Sequence, residues 1–285
     1  MIMDLKHLQE CGSWEWPPAA ANEIQEVLRN RQTAENDRLV AIGLAGDLVV
    51  MDDEMADLLC RIVANREESP AIRARAAISL GPVLEEMDLE SIDDSFSDPP
   101  VSAETFHKIQ AALRKVYRDE SEPKEVRRRV LEGAVRATDD WLEDAIRAAW
   151  ATGDREWKLT AVFAMRYVPG FEREILKALD STDSEIYLEA IRAAGARELD
   201  PAWPHVEALL ESPRTEKTLL LAAIEASAEI RPDEAGPLLV DLCDSPDEEV
   251  AQAASDAMMM ADAELRAEDE EDEDEEEEED EEEPY

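Results

Sequence analysis

Six times along the chain a bulky apolar residue is followed, four and eight positions on, by a small, β-branched or apolar one. The sets are Ile72/Ala76/Leu80, Val126/Val130/Ala134, Trp157/Ala161/Met165, Ile186/Ala190/Ala194, Leu219/Ala223/Ser227 and Val250/Ala254/Met258. Steps of four put these side chains on one face of an α-helix. The sets begin 54, 31, 29, 33 and 31 residues apart. One helical stripe about every 30 residues predicts a stacked helical array, whose single core grows along its axis as each unit covers the next.

A second apolar face precedes each stripe, so every unit reads as two helices joined by a polar turn. Met55, Leu58, Leu59, Ile62 and Val63 lead through Arg66, Glu67, Glu68, Ser69 and Pro70 to the helix of Ile72. Ser69 before Pro70 suits a capping residue followed by proline at the first helical position. Phe106, Ile109, Leu113 and Val116 lead through Ser121-Glu122-Pro123 to the helix of Val126. The later turns are Gly153-Asp154, Ser181 to Ser184, Ser212-Pro213 and Asp244 to Asp247. Capping chemistry and hydrophobic period agree in each unit. Leu48-Val49-Val50-Met51 is apolar enough for a strand, but with no partner run nearby it reads as a helix end.

Three segments flank or interrupt the array. Residues 1–32, with Trp14, Trp16 and the Pro17-Pro18 stop, are expected to cap the open end of the core, which has no neighbour to cover it. The array itself is assigned to residues 33–263, its first repeat (33–50, with Leu39, Ile42 and Leu44) being degenerate. The single spacing of 54 implies about 20 extra residues near 87–102, where Asp88, Glu90, Asp93, Asp94 and Asp98 with Pro99-Pro100 read as an acidic loop. Such an insertion is either a binding element at the edge of the array or neutral drift. Residues 264–285 are expected to form a disordered acidic tail, because a block of like charges repels itself and buries almost nothing apolar.

Charge narrows the range of partners. The chain has 72 acidic and 29 basic residues and a formal net charge of −43; residues 268–283 are acidic without exception. Without those sixteen, 56 acidic residues still face 29 basic ones, so the body is acidic in its own right. This field opposes nucleic acid and anionic lipid and favours a basic protein partner, while also keeping an alanine-rich array soluble. No apolar run approaches the ~18 residues of a membrane span, and residues 1–18 lack the apolar core of a signal peptide. Cys11, Cys60 and Cys243 lie far apart, as reduced thiols do in a cytoplasmic protein, which is the expected location.

Helix pairs of this length, opened by Ser-Pro or Asp-Ser turns and carrying Ala-Ile-Arg-Ala-Arg-Ala-Ala-Ile-Ser-Leu-Gly at 71–81, resemble HEAT-type repeats. The closer likeness is to the short variant named for phycobilisome lyases, and it covers roughly residues 33–262. The resemblance implies an all-α fold, an α-α superhelix of about six or seven helix pairs. It is weak for function, since that superfamily mixes scaffolds, adaptors, bilin-lyase subunits and some DNA glycosylases. The family's basic residue just after the first apolar position is matched at Arg73, Arg127 and Lys158 and lost at Tyr187, Leu220 and Ala251. The resemblance implies that this residue pairs with a turn carboxylate of a neighbouring repeat, here only in the first half of the array.

Candidate chemistry is sparse. Of His7, His107 and His205, only His7 has a metal-type ligand nearby, Cys11 four residues on, and two ligands do not complete a zinc site. No nucleophile elbow, triad context or glycine-rich phosphate loop is present. Trp141, Trp150 and Trp157, with Asp144, Arg147 and Arg155, invite comparison with the base-holding face of HEAT-like glycosylases; Trp141 and Trp157 also sit at regular core positions. One basic concentration stands out: Arg114, Lys115, Arg118 and Lys124 upstream of Arg127-Arg128-Arg129. It reads as an anion-contacting patch or as a solvated face paired with Glu120, Glu122 and Glu125. No catalytic, cofactor-binding or metal-binding residue is assigned.

These features point to a non-catalytic scaffold or adaptor, without cofactor, that holds a basic protein on its concave face. The alternative is an enzyme or enzyme subunit of the lyase or DNA-glycosylase type. The register itself is testable. Ala76, Ala161, Ala190, Ala223 and Ala254 hold the same position in five units, where helices must approach closely. Ala190→Leu is expected to overpack that contact and destabilise the protein by about 1–3 kcal/mol, read as a lowered thermal midpoint; an unchanged midpoint would place the column on the surface.

Overall fold

A computed structural model describes residues 5–90 and 99–262, and every regular element among them is helical. The expected acidic tail, 264–285, and most of the expected acidic loop lie outside the described residues. The chain divides into two compact units, Met1–Ala164 and Met165–Tyr285. No helix among the described residues is long and apolar enough to cross a membrane.

In the first unit, α1 (Leu5–Glu10) packs on α3 (Glu35–Ala45) and buries Leu8. Four helix pairs follow: α2 (Ala20–Arg29) with α3 (Glu35–Ala45), α4 (Asp53–Ala64) with α5 (Pro70–Ser79), α7 (Ala103–Arg118) with α8 (Lys124–Ala134), and α9 (Leu142–Ala151) with α10 (Arg155–Met165). α2 belongs to the segment expected only to cap the array, yet it forms the first pair; Ile24 and Leu28 are buried between α2 and its neighbours. The acidic stretch expected as a loop from Met87 is helical through Glu90. There α6 (Gly81–Glu90) continues from α5 after a break at Leu80, with Pro82 in its first turn and Val83 and Leu84 buried.

The second unit holds three pairs: α11 (Glu172–Ala178) with α12 (Ser184–Ala196), α13 (Trp203–Glu211) with α14 (Lys217–Ile230), and α15 (Pro232–Cys243) with α16 (248–262). The described residues thus contain seven pairs, and the fold is an all-helical repeat.

The caps fall where turn chemistry places them. Ser69 accepts the backbone N–H of Ile72 (3.3 Å), and Asp183 accepts those of Glu185 and Ile186 (3.1 and 3.4 Å). At the Ser212-Pro213 turn the cap comes later. Thr215 Oγ1 donates to the Leu209 carbonyl (2.8 Å), lengthening the turn, and Glu216 caps α14. Leu48, Val49 and Val50 form a turn after α3, in keeping with a helix end.

The repeated stripe faces the core of each unit. All five alanines of the column are fully inaccessible, and of the eighteen stripe residues only Trp157, Leu219 and Met258 are part-exposed. The second helices of neighbouring pairs meet at small residues, α5 running along α8 in the first unit and α12 along α14 in the second. A β-carbon built on Gly133 of α8 would lie 2.3 Å from the Ala77 carbonyl oxygen of α5; one on Gly195 of α12 would lie 2.8 Å from Ala226 Cα of α14. Backbone meets backbone at both sites.

Two alanine substitutions should therefore differ in size. Gly133→Ala is expected to destabilise by about 1–3 kcal/mol, because the methyl has only backbone to displace. Gly236→Ala, in the interior of α15, meets nothing within 4 Å beyond its chain neighbours, but Pro237 follows it and disfavours a helical β-carbon there, so the propensity gain is offset and the change should stay within about 0.5 kcal/mol of zero. Denaturant midpoints of the two variants check this.

Candidate functional site

The charged side chains are ordered by the repeat. Arg38, Arg73 and Arg127 each stand four residues past the capping residue of a second helix. Each guanidinium reaches back ten residues to a carbonyl in the last turn of its own pair's first helix: Leu28 (3.5 Å), Val63 (2.8 Å) and Tyr117 (2.9 Å). Those carbonyls lack intrahelical partners, and a cation there also complements the helix dipole.

The same arginines reach forward to the turn of the next pair. Arg38 grips Glu68 through both carboxylate oxygens (2.6 and 2.9 Å), and Arg73 contacts Glu122 (2.6 Å), which also accepts from Arg66 Nε (2.8 Å). Glu68 and Glu122 each sit just before a helix cap. Burial raises the Glu122 carboxyl, but hydrogen bonds and charge from Arg73 and Arg66 outweigh it and hold the group below its ordinary value. The Arg38 hydrogen bond does the same for Glu68.

At the third rung the chemistry changes. The residue before the α10 turn's Asp154 is Gly153, with φ of 73°, so no carboxylate stands there. Arg127 lies instead between rings, 5.3 Å from the centre of Tyr117 and 5.7 Å from that of Trp157. Lys158 is over Trp150 at 5.6 Å. Of the three basic residues expected to pair with turn carboxylates, Arg73 does so, whereas Arg127 and Lys158 take aromatic faces. Arg38, absent from that expectation, supplies the extra carboxylate rung.

A second set of rungs joins first-turn cations to the next unit's cap. Lys124 bonds Asp154 (3.1 Å) and Glu156; Lys217 bonds Asp247 (2.8 Å) and Glu249 (2.7 Å). In both cases the cation is the first residue of its helix and the carboxylates are the capping residue of the next second helix and the second residue after it.

The basic concentration of the first unit is taken apart by these contacts. Arg128 is buried, its Nε donating to Thr160 Oγ1 (2.9 Å), which donates to the buried Glu132 (2.5 Å); Arg129 pairs with the same Glu132. Burial lowers the Arg128 pKa. Arg114 pairs with Asp140 (2.8 Å). The partners are thus Glu132, Asp140, Asp154 and Glu156 rather than Glu120, Glu122 and Glu125. Lys115 and Arg118 remain exposed on α7, beside a shallow depression also lined by Ala111, Arg114 and Asp119.

Two of the clustered tryptophans meet on one tyrosine. Trp141 is buried, donates Nε1 to Asp139 (2.8 Å) and packs on Tyr117 at 4.8 Å, while Trp157 meets the same Tyr117 edge-on at 6.3 Å. Tyr117, which sequence reading passed over, links the two as the last aromatic of α7. Arg147 pairs with Glu143. At the N-terminus Cys11 Sγ donates to the His7 carbonyl (3.2 Å), so the thiol is engaged by backbone. Cys60 is buried and its pKa is pushed up to about 12 by desolvation. Among the described residues no group of three or more His, Cys, Asp or Glu is placed to hold a metal ion.

No protein-family model matches the sequence, and no curated protein is similar to it by sequence. Solved structures with a similar course of the chain include human deoxyhypusine hydroxylase in complex with glycerol. That one is 16% identical, and the alignment covers 91% of this chain and 88% of that one, with a TM-score of 0.41. YibA of Escherichia coli is also 16% identical, with 90% and 85% covered and a TM-score of 0.42. At this distance neither transfers a residue role.

The ladder makes stability depend on pH. Glu68 and Glu122 have folded-state values below their ordinary 4.5, so the unfolded chain binds more protons as the medium is acidified. Their contribution is complete above about pH 5 and is lost as pH falls through the lowered values. Glu122→Gln leaves Arg73 buried without its counter-charge and should cost about 3–5 kcal/mol at neutral pH. Below pH 4 the gap from wild type should narrow, as urea unfolding from pH 3 to 7 would show.

Proposed function

We propose that the protein is a non-catalytic scaffold of HEAT-like type that binds a basic protein partner along the exposed faces of its helical repeats. One observation carries the reading. Many of the cations are spent in pairs within the chain, in rungs such as Arg38–Glu68, Arg73–Glu122, Lys124–Asp154 and Lys217–Asp247. The excess of 72 acidic over 29 basic residues is therefore carried on the surface. A surface of that sign steers and selects cationic partners and disfavours polyanions. Three free cysteines fit a reducing, cytoplasmic setting.

The full-length chain, used as bait in extract of its native cell at low salt, should retain a basic protein in fixed stoichiometry. With both proteins purified, affinity should fall at least about tenfold between low and physiological ionic strength, since exposed charges are screened beyond ~8 Å there. Deleting residues 268–283 should slow association and flatten the salt slope. An acidic partner, a nucleic acid, or an affinity indifferent to salt would overturn the proposal, as would turnover of a small-molecule substrate by the purified chain.

A further inference from the structure

The last second helix among the described residues, α16, carries a face that the stacking contacts of α3, α5 and α12 use and that nothing among the described residues covers. Counted from the capping residue, position twelve is Gly46 after α3, Gly81 after α5 and Gly195 in α12. At all three the next pair's second helix comes close: a β-carbon there would lie 3.0 Å from Ser79 Cα, 3.7 Å from the Gly133 carbonyl oxygen and 2.8 Å from Ala226 Cα. In α16, capped by Asp247, position twelve is Met259, and it is 64% exposed. The geometry of this face is that of a seat for a helix.

Its charges say which helix. In α8 and α14 the first residue is a lysine that serves the carboxylates of the next cap; in α16 it is Glu248, and position four, arginine in α3, α5 and α8, is Ala251. The face therefore has acceptors and, among the described residues, no cation: Glu248 and Asp256 are exposed on it. A further repeat of this chain's own kind, with a carboxylate at its cap, would meet repulsion. Glu35, the glutamate at the first position of α3, accepts a donor there, the Ser69 hydroxyl.

We infer that the Met259 face of α16 is the docking site for an amphipathic, lysine- or arginine-flanked helix of a partner protein, which stacks on the array as a next second helix would. Methionine in place of glycine seats that helix on a flexible, polarizable side chain rather than on backbone, which tolerates varied apolar partners. The inference rests on the proposed preference for basic partners and adds where and in what form the partner binds.

The probes are a synthetic helical peptide with leucines on one face and lysines elsewhere, and a polylysine of equal charge without the apolar face. The full-length chain should bind the amphipathic peptide more tightly than polylysine. Met259→Glu adds a negative charge yet should weaken the amphipathic peptide roughly tenfold while leaving polylysine binding unchanged or stronger. The substituted side chain is exposed, and an unchanged melting curve confirms the fold. The ¹³C-methyl resonance of Met259 should shift with the amphipathic peptide and not with polylysine. Binding that ignores Met259→Glu would overturn the end-face site and leave the basic-partner reading standing. Absence of salt-dependent binding of either probe would overturn both. Self-association of the chain that Met259→Glu abolishes would assign the face to a second copy instead and overturn the inference.

Discussion

Everything else in each unit depends on how closely neighbouring second helices approach. The approach is set by residues with little or no side chain: the alanine column, fully buried in all five units, and glycines such as Gly133 and Gly195 that bring backbone against backbone. Small residues lose almost no rotamer freedom on burial, so dispersion between close-packed backbones is gained at little entropic cost. A core of this kind has scant room to relax, which fixes the spacing of neighbouring second helices within a unit.

That fixed spacing is what lets charged side chains repeat. Arg38 and Lys124 each find a carboxylate 30 residues further along the chain, and Lys217 does the same with Asp247. Arg38, Arg73 and Arg128 are almost wholly buried, and desolvation offsets much of the Coulomb attraction of such pairs. Their consistent geometry ties each helix pair to the next within its own unit. Where Gly153 removes the turn carboxylate, Trp157 and Tyr117 take over the guanidinium of Arg127, so the rung survives with different chemistry.

Tying cations into the interior has an outward consequence. At least sixteen of the 29 basic residues form ion pairs within the chain, so the surplus of 72 acidic residues outweighs the cations left over. Lys115 and Arg118 on α7 are among the exposed cations. The first and last described second helices also differ. Leu8 of α1 is buried against α3, whereas Met259 of α16 is exposed.

The helix pairs, most of their caps and the buried face of each were legible in the chain, because a four-residue step repeated at a period near 30 has only one compact solution. Ser69, Asp183 and the alanine column are all where local rules place them. What the sequence alone did not reveal depends on contacts between residues far apart. That α2 opens the first pair follows from its packing on α3, and that α6 is helical through Glu90 follows from burial of Val83 and Leu84. The run Arg127-Arg128-Arg129 reads as one basic patch, yet successive helical residues point about 100° apart. Folding accordingly sends Arg127 to two aromatic rings, Arg128 into a buried bond with Thr160, and Arg129 to Glu132. Local periodicity determined the elements and their inner faces. Tertiary structure decided which charges meet, since each partner lies a whole repeat away and is brought near only when the helices stack.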